Sequence, residues 1–228
     1  MKKVLLGAMI AVIVLSAVPG RVYASEPAGD IASAAAAGSA AEVEPVPTTV
    51  YRVDELGIEM AVPNDTVVFT RHMEENDPAL TALGTTLDAV QTYMEDNYIY
   101  LNFSTPDFSQ EIVVTKLQDG FEDFEFAVED KDDLDKVMTQ TYAEQGLILG
   151  NTEMYVHPQT VFYKGDYENT NYDPPFYWTH YVTIKNGYEI AVYLFSYTKK
   201  PLTEEQHAWL RAAVDSIKFD EVPATAVK

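Results

Sequence analysis

The sequence predicts an antiparallel sheet sheltered between layers of helix, an α/β/α sandwich of the α+β class. Two observations carry that expectation. Segments alternating with a period of two are interleaved with three segments whose apolar residues recur at helical spacing. The longest alternating pair, Phe176–Lys185 and Tyr188–Thr198, is apolar or aromatic on both faces. An antiparallel sheet with one face in water keeps that face polar, so both faces here need cover.

The chain opens with Met1-Lys2-Lys3, an apolar run from Val4 to Leu15, and small or turn-forming residues ending Val22-Tyr23-Ala24. A basic start, a short hydrophobic stretch and an A-x-A-like end predict a secretory signal peptide over residues 1–24. The run is shorter than the roughly 18–20 residues of a spanning helix, and Pro19-Gly20 interrupts it. The mature chain is therefore expected without a transmembrane span, secreted or, where the source has an outer membrane, periplasmic. Residues 25–49 are rich in Ala, Pro and Glu, with little bulk to bury, and predict a disordered tether. The folded domain is expected over 50–220, with 221–228 as a loose tail.

Val50–Val53 and Ile58–Val62 predict two strands joined through Leu56-Gly57, and Val67–Thr70 a third after the turn Pro63-Asn64-Asp65. A helix is expected from Thr85 or Thr86 to about Asn97, with Leu87, Val90 and Met94 on one stripe. Tyr98–Ser104 alternates, which puts Ile99, Leu101 and Phe103 on one face, and Gln110–Leu117 is rich in β-branched residues. Thr105-Pro106-Asp107 turns the chain between them: the proline pre-sets φ and the aspartate bonds its own backbone. Asp132–Gln145 predicts a second helix, with Leu134, Val137, Met138 and Tyr142 inward, acidic residues in its first turn and Gly146 as its stop. Leu147–Val156 and Thr160–Lys164 supply further strands, followed by a loop over Gly165–Pro175.

Asn186-Gly187 is the preferred two-residue hairpin turn, and it fixes register: Lys185 opposes Tyr188, Thr183 opposes Ile190, Tyr181 opposes Val192. One face then carries Tyr181, Ile190, Val192 and Leu194; the other carries Trp178, His180, Val182, Ile184, Tyr193 and Phe195. Thr203 with Gln206 makes a capping box for the last helix, whose stripe is Leu210, Val214 and Ile217.

These segments together resemble PsbP-like domains. The resemblance rests on the opening Tyr51-Arg52-Val53 with Leu56-Gly57-Ile58-Glu59-Met60-Ala61-Val62-Pro63, the late hairpin Tyr177–Ser196, and the closing Val214-Asp215-Ser216-Ile217-Lys218-Phe219. It covers residues 50–220 and is a likeness to small secreted bacterial proteins that share a fold with the photosystem II extrinsic protein and the Ran-binding Mog-type proteins. Where many members continue from the proline to a tryptophan, this chain has Asn64-Asp65-Thr66. The resemblance implies a fold and no enzyme activity.

Composition narrows the function classes. The chain holds 36 acidic and 15 basic residues, a formal charge of −21. Cleavage after Ala24 would remove three basic residues and no acidic one, giving −24. Such a charge with no basic stripe argues against nucleic acid as a partner. The absence of cysteine excludes disulfides, thiol catalysis and Cys-based zinc sites.

No H-E-x-x-H, G-x-S-x-G, Walker loop or G-x-G-x-x-G occurs, and Ser104, Ser109 and Ser196 lack a nucleophile motif. No cofactor is expected. His207 reads as a solvated residue at a helix start and His72 as loop, while His180 sits mid-strand among rings. His180 reads first as a hydrogen-bonded member of an aromatic layer and second as the centre of a small hydrolase or cation-dependent enzyme. The acidic stretches Glu122–Asp133 and Glu74–Asp77 lack the glycine and spacing of an EF-hand. Solvated helix starts explain them, with a calcium-stabilised module as the alternative. Tyr163, Tyr167, Tyr172, Tyr177 and Trp178 crowd the segment around the Gly165–Pro175 loop. Together with His180 they form the candidate binding surface for a protein or cell-envelope component, because large amphipathic rings dominate such interfaces. The leading function is thus a secreted, non-catalytic binding domain.

Overall fold

The computed structural model describes residues 46–121 and 124–221. The expected signal peptide, most of the expected tether, Glu122-Asp123 and residues 222–228 lie outside the described residues. Among the described residues the chain forms four helices and ten strands arranged in two antiparallel sheets.

The smaller sheet starts the domain. β1 (Thr48–Val53) pairs with β2 (Ile58–Pro63), Thr48 opposite Pro63 and Val53 opposite Ile58. Thr48 and Thr49 therefore belong to the sheet and not to the tether. Between the strands, Asp54–Leu56 makes one turn of 3-10 helix, and Gly57 closes it at φ 60°, the left-handed region that favours glycine. β2 places Ile58, Met60 and Val62 inward, each at most 1 % exposed.

The larger sheet runs β3 (Val67–Thr70), β4 (Ile99–Ser104), β5 (Gln110–Asp119), β9 (Tyr188–Ser196), β8 (Phe176–Lys185), β7 (Thr160–Asn169) and β6 (Leu147–His157). The β8–β9 hairpin has the expected register, Lys185 with Tyr188 and Tyr181 with Val192. Two helices, α1 (Pro78–Leu83) and α2 (Leu87–Asp96), precede β4, and α3 (Lys131–Ala143) precedes β6. α4 (Glu204–Asp215) follows β9 and leads to β10 (Lys218–Phe219), which pairs with the free side of β2.

Both faces of the central strands of the large sheet are covered. On one, Val182, Ile184, Tyr193 and Phe195 pack with Leu80 of α1, Val90 and Met94 of α2, and Leu134, Met138 and Tyr142 of α3. On the other, Tyr181, Ile190, Val192 and Leu194 pack with Leu210 and Val214 of α4 and with Ile58, Met60 and Val62 of β2. The second cover is thus one helix plus the small sheet, not helices alone. Width explains this: a helix about 10–12 Å across shelters only two or three strands spaced about 4.8 Å apart.

Three local expectations change. Ile99 does not share a face with Leu101 and Phe103; it joins the α1–α3 side while they join the α4 side. The pairing of β4 with β5 shifts between Ile99 and Leu101, and a one-residue slip reverses the facing of everything before it. α1 was not expected, although Asp77 caps it through Ala79 N at 2.9 Å, Pro78 opens it and Gly84 ends it. β7 continues to Asn169, so the supposed Gly165–Pro175 loop shrinks to residues 170–175.

Candidate functional site

His180 is the starting point because sequence reasoning gave it two roles. In β8 it lies opposite Tyr193 of β9 and Gly165 of β7. It is 1 % exposed, and its Nε2 lies 2.9 Å from the Tyr167 hydroxyl. Rings of Tyr142, Tyr167 and Tyr193 surround it with centroids 6.4, 4.6 and 5.3 Å away. Nδ1 has no hydrogen-bond partner among the described residues. Burial without a carboxylate partner depresses its pKa to about 3, so the imidazole is neutral at pH 7.

The neighbouring glycine is required by close approach. A Cβ at Gly165 would sit 2.7 Å from the Tyr167 hydroxyl and 2.9 Å from its ring. The Tyr167 ring folds over Gly165, which is how its hydroxyl reaches His180. Burial raises the Tyr167 and Tyr193 phenols well above their ordinary range, so both stay protonated. Acyl-transfer chemistry needs a base oriented by a carboxylate and bonded to a nucleophile. Here the imidazole meets a phenol inside an apolar layer.

Glu189 is a second buried titratable group on the same side. It is 1 % exposed, lies opposite Ile184, and its Oε2 has no hydrogen-bond partner among the described residues. Burial pushes its carboxyl up to about 8.

The aromatic residues expected to form one surface are divided. Tyr163 is fully buried and its hydroxyl donates to Asp135 at 2.9 Å; Tyr167 is 3 % exposed. Those two and His180 are interior. Tyr177 lies in β8 on the face of Thr179 and Tyr181, away from the other rings. What remains near the surface is a rank at the open end of the sheet. Trp178 stacks on Tyr167 at 5.4 Å and 12°, Phe176 lies 6.1 Å from Trp178 and 5.6 Å from Tyr197, and Tyr172 meets Phe176 edge-on. Tyr172 is 47 % exposed, while Phe176, Trp178 and Tyr197 are half-buried. The short loop carrying Tyr172 is pinned to the end of α3, with Asn171 Nδ2 donating to Gln145 O at 2.7 Å.

The other candidates have local work. His207 is not simply solvated: it is half-buried, its Nδ1 4.0 Å from Asp166. His72 contacts Glu55 at 3.0 Å in an exposed turn. Ser104 and Ser196 are buried, and Ser109 bonds Asp107. Asp77 caps α1, Asp130 accepts from Ala127 N at 2.9 Å, and Lys131 and Lys136 pair with Asp135 and Asp133. Among the described residues no group of three or more His, Asp or Glu is placed to hold a metal ion. Likewise, no helix among them is long and apolar enough to cross a membrane.

Sequence reading missed an open groove of about 670 Å³ where α4 begins, walled by the β4–β5 turn, the start of β3 and the β9–α4 connection. Trp209 lines it, with Asp65, Gln110, Lys200 and Glu205 around it and Val46 at its rim. Helical spacing places Glu205 and Trp209 on one stripe of α4, but Asp65 and Gln110 arrive from distant segments. Only the fold brings them together.

No protein-family model and no curated protein matches the chain. Among solved structures, it is similar to cyanobacterial PsbP (CyanoP) from Synechocystis sp. PCC 6803. The identity is 15 %, the match covers 81 % of this chain and 99 % of that one, and the TM-score is 0.48. It is also similar to PA94 from Pseudomonas aeruginosa, a protein of unknown function, at 13 % identity over 78 % of this chain and 99 % of that one, TM-score 0.36. These are likenesses of fold alone.

Proposed function

We propose that this chain acts outside the cytoplasm as a non-catalytic binding domain, docking a protein or cell-envelope component on the rank formed by Tyr172, Phe176, Trp178 and Tyr197. The observation that carries this reading is that these rings contact one another in series and stay half-buried or exposed while their neighbours in the same layer are buried. Half-buried aromatic rings held rigid by stacking present large contact area with little entropy left to lose on binding. The dry, carboxylate-free setting of His180 supports the non-catalytic part, and the opening Met1–Ala24 pattern supports export.

Sedimentation with isolated envelope from the source cell tests the reading. Tyr172→Ser changes an exposed residue and is expected to keep folding stability within about 0.5 kcal/mol, while retention by the envelope fraction falls. Equal retention of the two proteins overturns the docking surface. N-terminal sequencing of the secreted form is expected to begin at Ser25; a product retaining residues 1–24 contradicts export by cleavage.

A further inference from the structure

We propose that the groove at the start of α4 is a second, independent site, which binds a short neutral or amino-bearing oligosaccharide. Its volume of about 670 Å³ lies within the roughly 300–1,000 Å³ usual for small-molecule sites. A pyranose offers an apolar C–H face and a rim of hydroxyls. The groove offers the matching pair: one flat indole and, around it, side chains that accept or donate hydrogen bonds.

Trp209 is fixed in place. Its ring meets Phe103 edge-on, centroids 5.8 Å apart at 86°, and the Thr203–Gln206 capping box sets the start of its helix. The polar groups are uncommitted. Among the described residues, Asp65, Gln110, Lys200 and Glu205 make no side-chain hydrogen bond or ion pair, though all four line the groove. Two carboxylates, one amide and one ammonium can each take a sugar hydroxyl without first breaking an internal bond.

Charge selects among sugars. The lining carries two acidic groups against one basic, on a protein whose formal charge is −21. Uronic or sulfated sugars are repelled; neutral and amino sugars are accepted. A proline-rich peptide is the competing occupant, but such ligands dock on several aromatic rings in a row, and this groove holds one.

The test uses the full chain labelled with 5-fluorotryptophan. The sequence has two tryptophans, so Trp209 reports the groove and Trp178 serves as the internal reference. Probes are cellotriose, a glucosamine trimer, trigalacturonate and a proline-rich peptide. The expected result is a saturable fluorine shift of Trp209 alone with cellotriose or the glucosamine trimer, and none with trigalacturonate. Gln110→Ala, which leaves the reporter intact, is expected to weaken that response about tenfold, the effect of losing one good polar contact. The site is overturned by any of three results: no saturable Trp209 shift with either saccharide, a shift of Trp178 instead, or binding of the peptide alone. Tyr172→Ser leaves the saccharide response unchanged, which separates this site from the aromatic rank.

Discussion

Gly165 is the residue whose replacement should be most informative for its size. A methyl group there collides with the Tyr167 ring and hydroxyl at 2.7–2.9 Å. Gly165→Ala is expected to destabilise the domain by about 1–3 kcal/mol, the usual range for overpacking, in urea unfolding followed by fluorescence. Paired with Tyr167→Leu, which removes the obstruction, the same glycine change should cost far less; equal losses in both backgrounds would contradict the close approach. Glu189 gives a test of opposite sign. Its carboxyl is pushed up to about 8 in the folded chain against 4.5 when unfolded, so the folded state holds the extra proton between those values. Stability therefore declines as pH rises through that window. Glu189→Gln should flatten the decline and raise the melting temperature at pH 8; an unchanged profile would place the carboxyl in water.

At the scale of elements, the hairpin, the caps and the stripes were legible because their signals are local. Asn186-Gly187 fixed the β8–β9 register, and Thr203 with Gln206 announced α4. Thr203→Ala is expected to cost about 1 kcal/mol, typical of a lost N-cap. It should also loosen Trp209, measurable as a lower melting temperature with faster amide exchange in the first turn; no change in either would remove the cap from the account. Other elements were not legible for physical reasons. β7 runs on to Asn169 because Tyr167 and Asn169 pair with Trp178 and Phe176 of β8, although Gly165 and the following Asp and Asn suggest a loop. Ile99 changes face because of a register shift that no alternation pattern reveals. The candidate site suffered most. Of six residues close in sequence, strand alternation sends only Tyr177 to the opposite face, while Tyr163, Tyr167 and His180 are buried deeper in the layer that Trp178 and Tyr172 edge. The Trp209 groove went unseen because residues 65, 110 and 205 meet only through tertiary contacts.

For the whole molecule, the decisive property is that the central strands β5, β9 and β8 are buried on both faces over most of their length. That property links stability to pH through two opposed groups. His180 resists protonation, so stability falls as pH drops from about 6.5 towards about 3; Glu189 resists ionisation, so stability falls as pH rises from about 4.5 towards about 8. Between about 4.5 and 6.5 the two slopes oppose each other, and a broad stability maximum is expected there in thermal melts across pH. The same burial supports the non-catalytic proposal, because an imidazole 1 % exposed and without a carboxylate partner is poorly placed to act as a general base. The most direct measurement is a proton NMR titration of the His180 ring, identified by loss of its signal in His180→Gln. The signal is expected to stay that of neutral imidazole from pH 8 down to below pH 5. A titration centred near 6.5 would mean that water reaches the layer beneath α3, and the sealed sheet and the proposal resting on it would both be wrong.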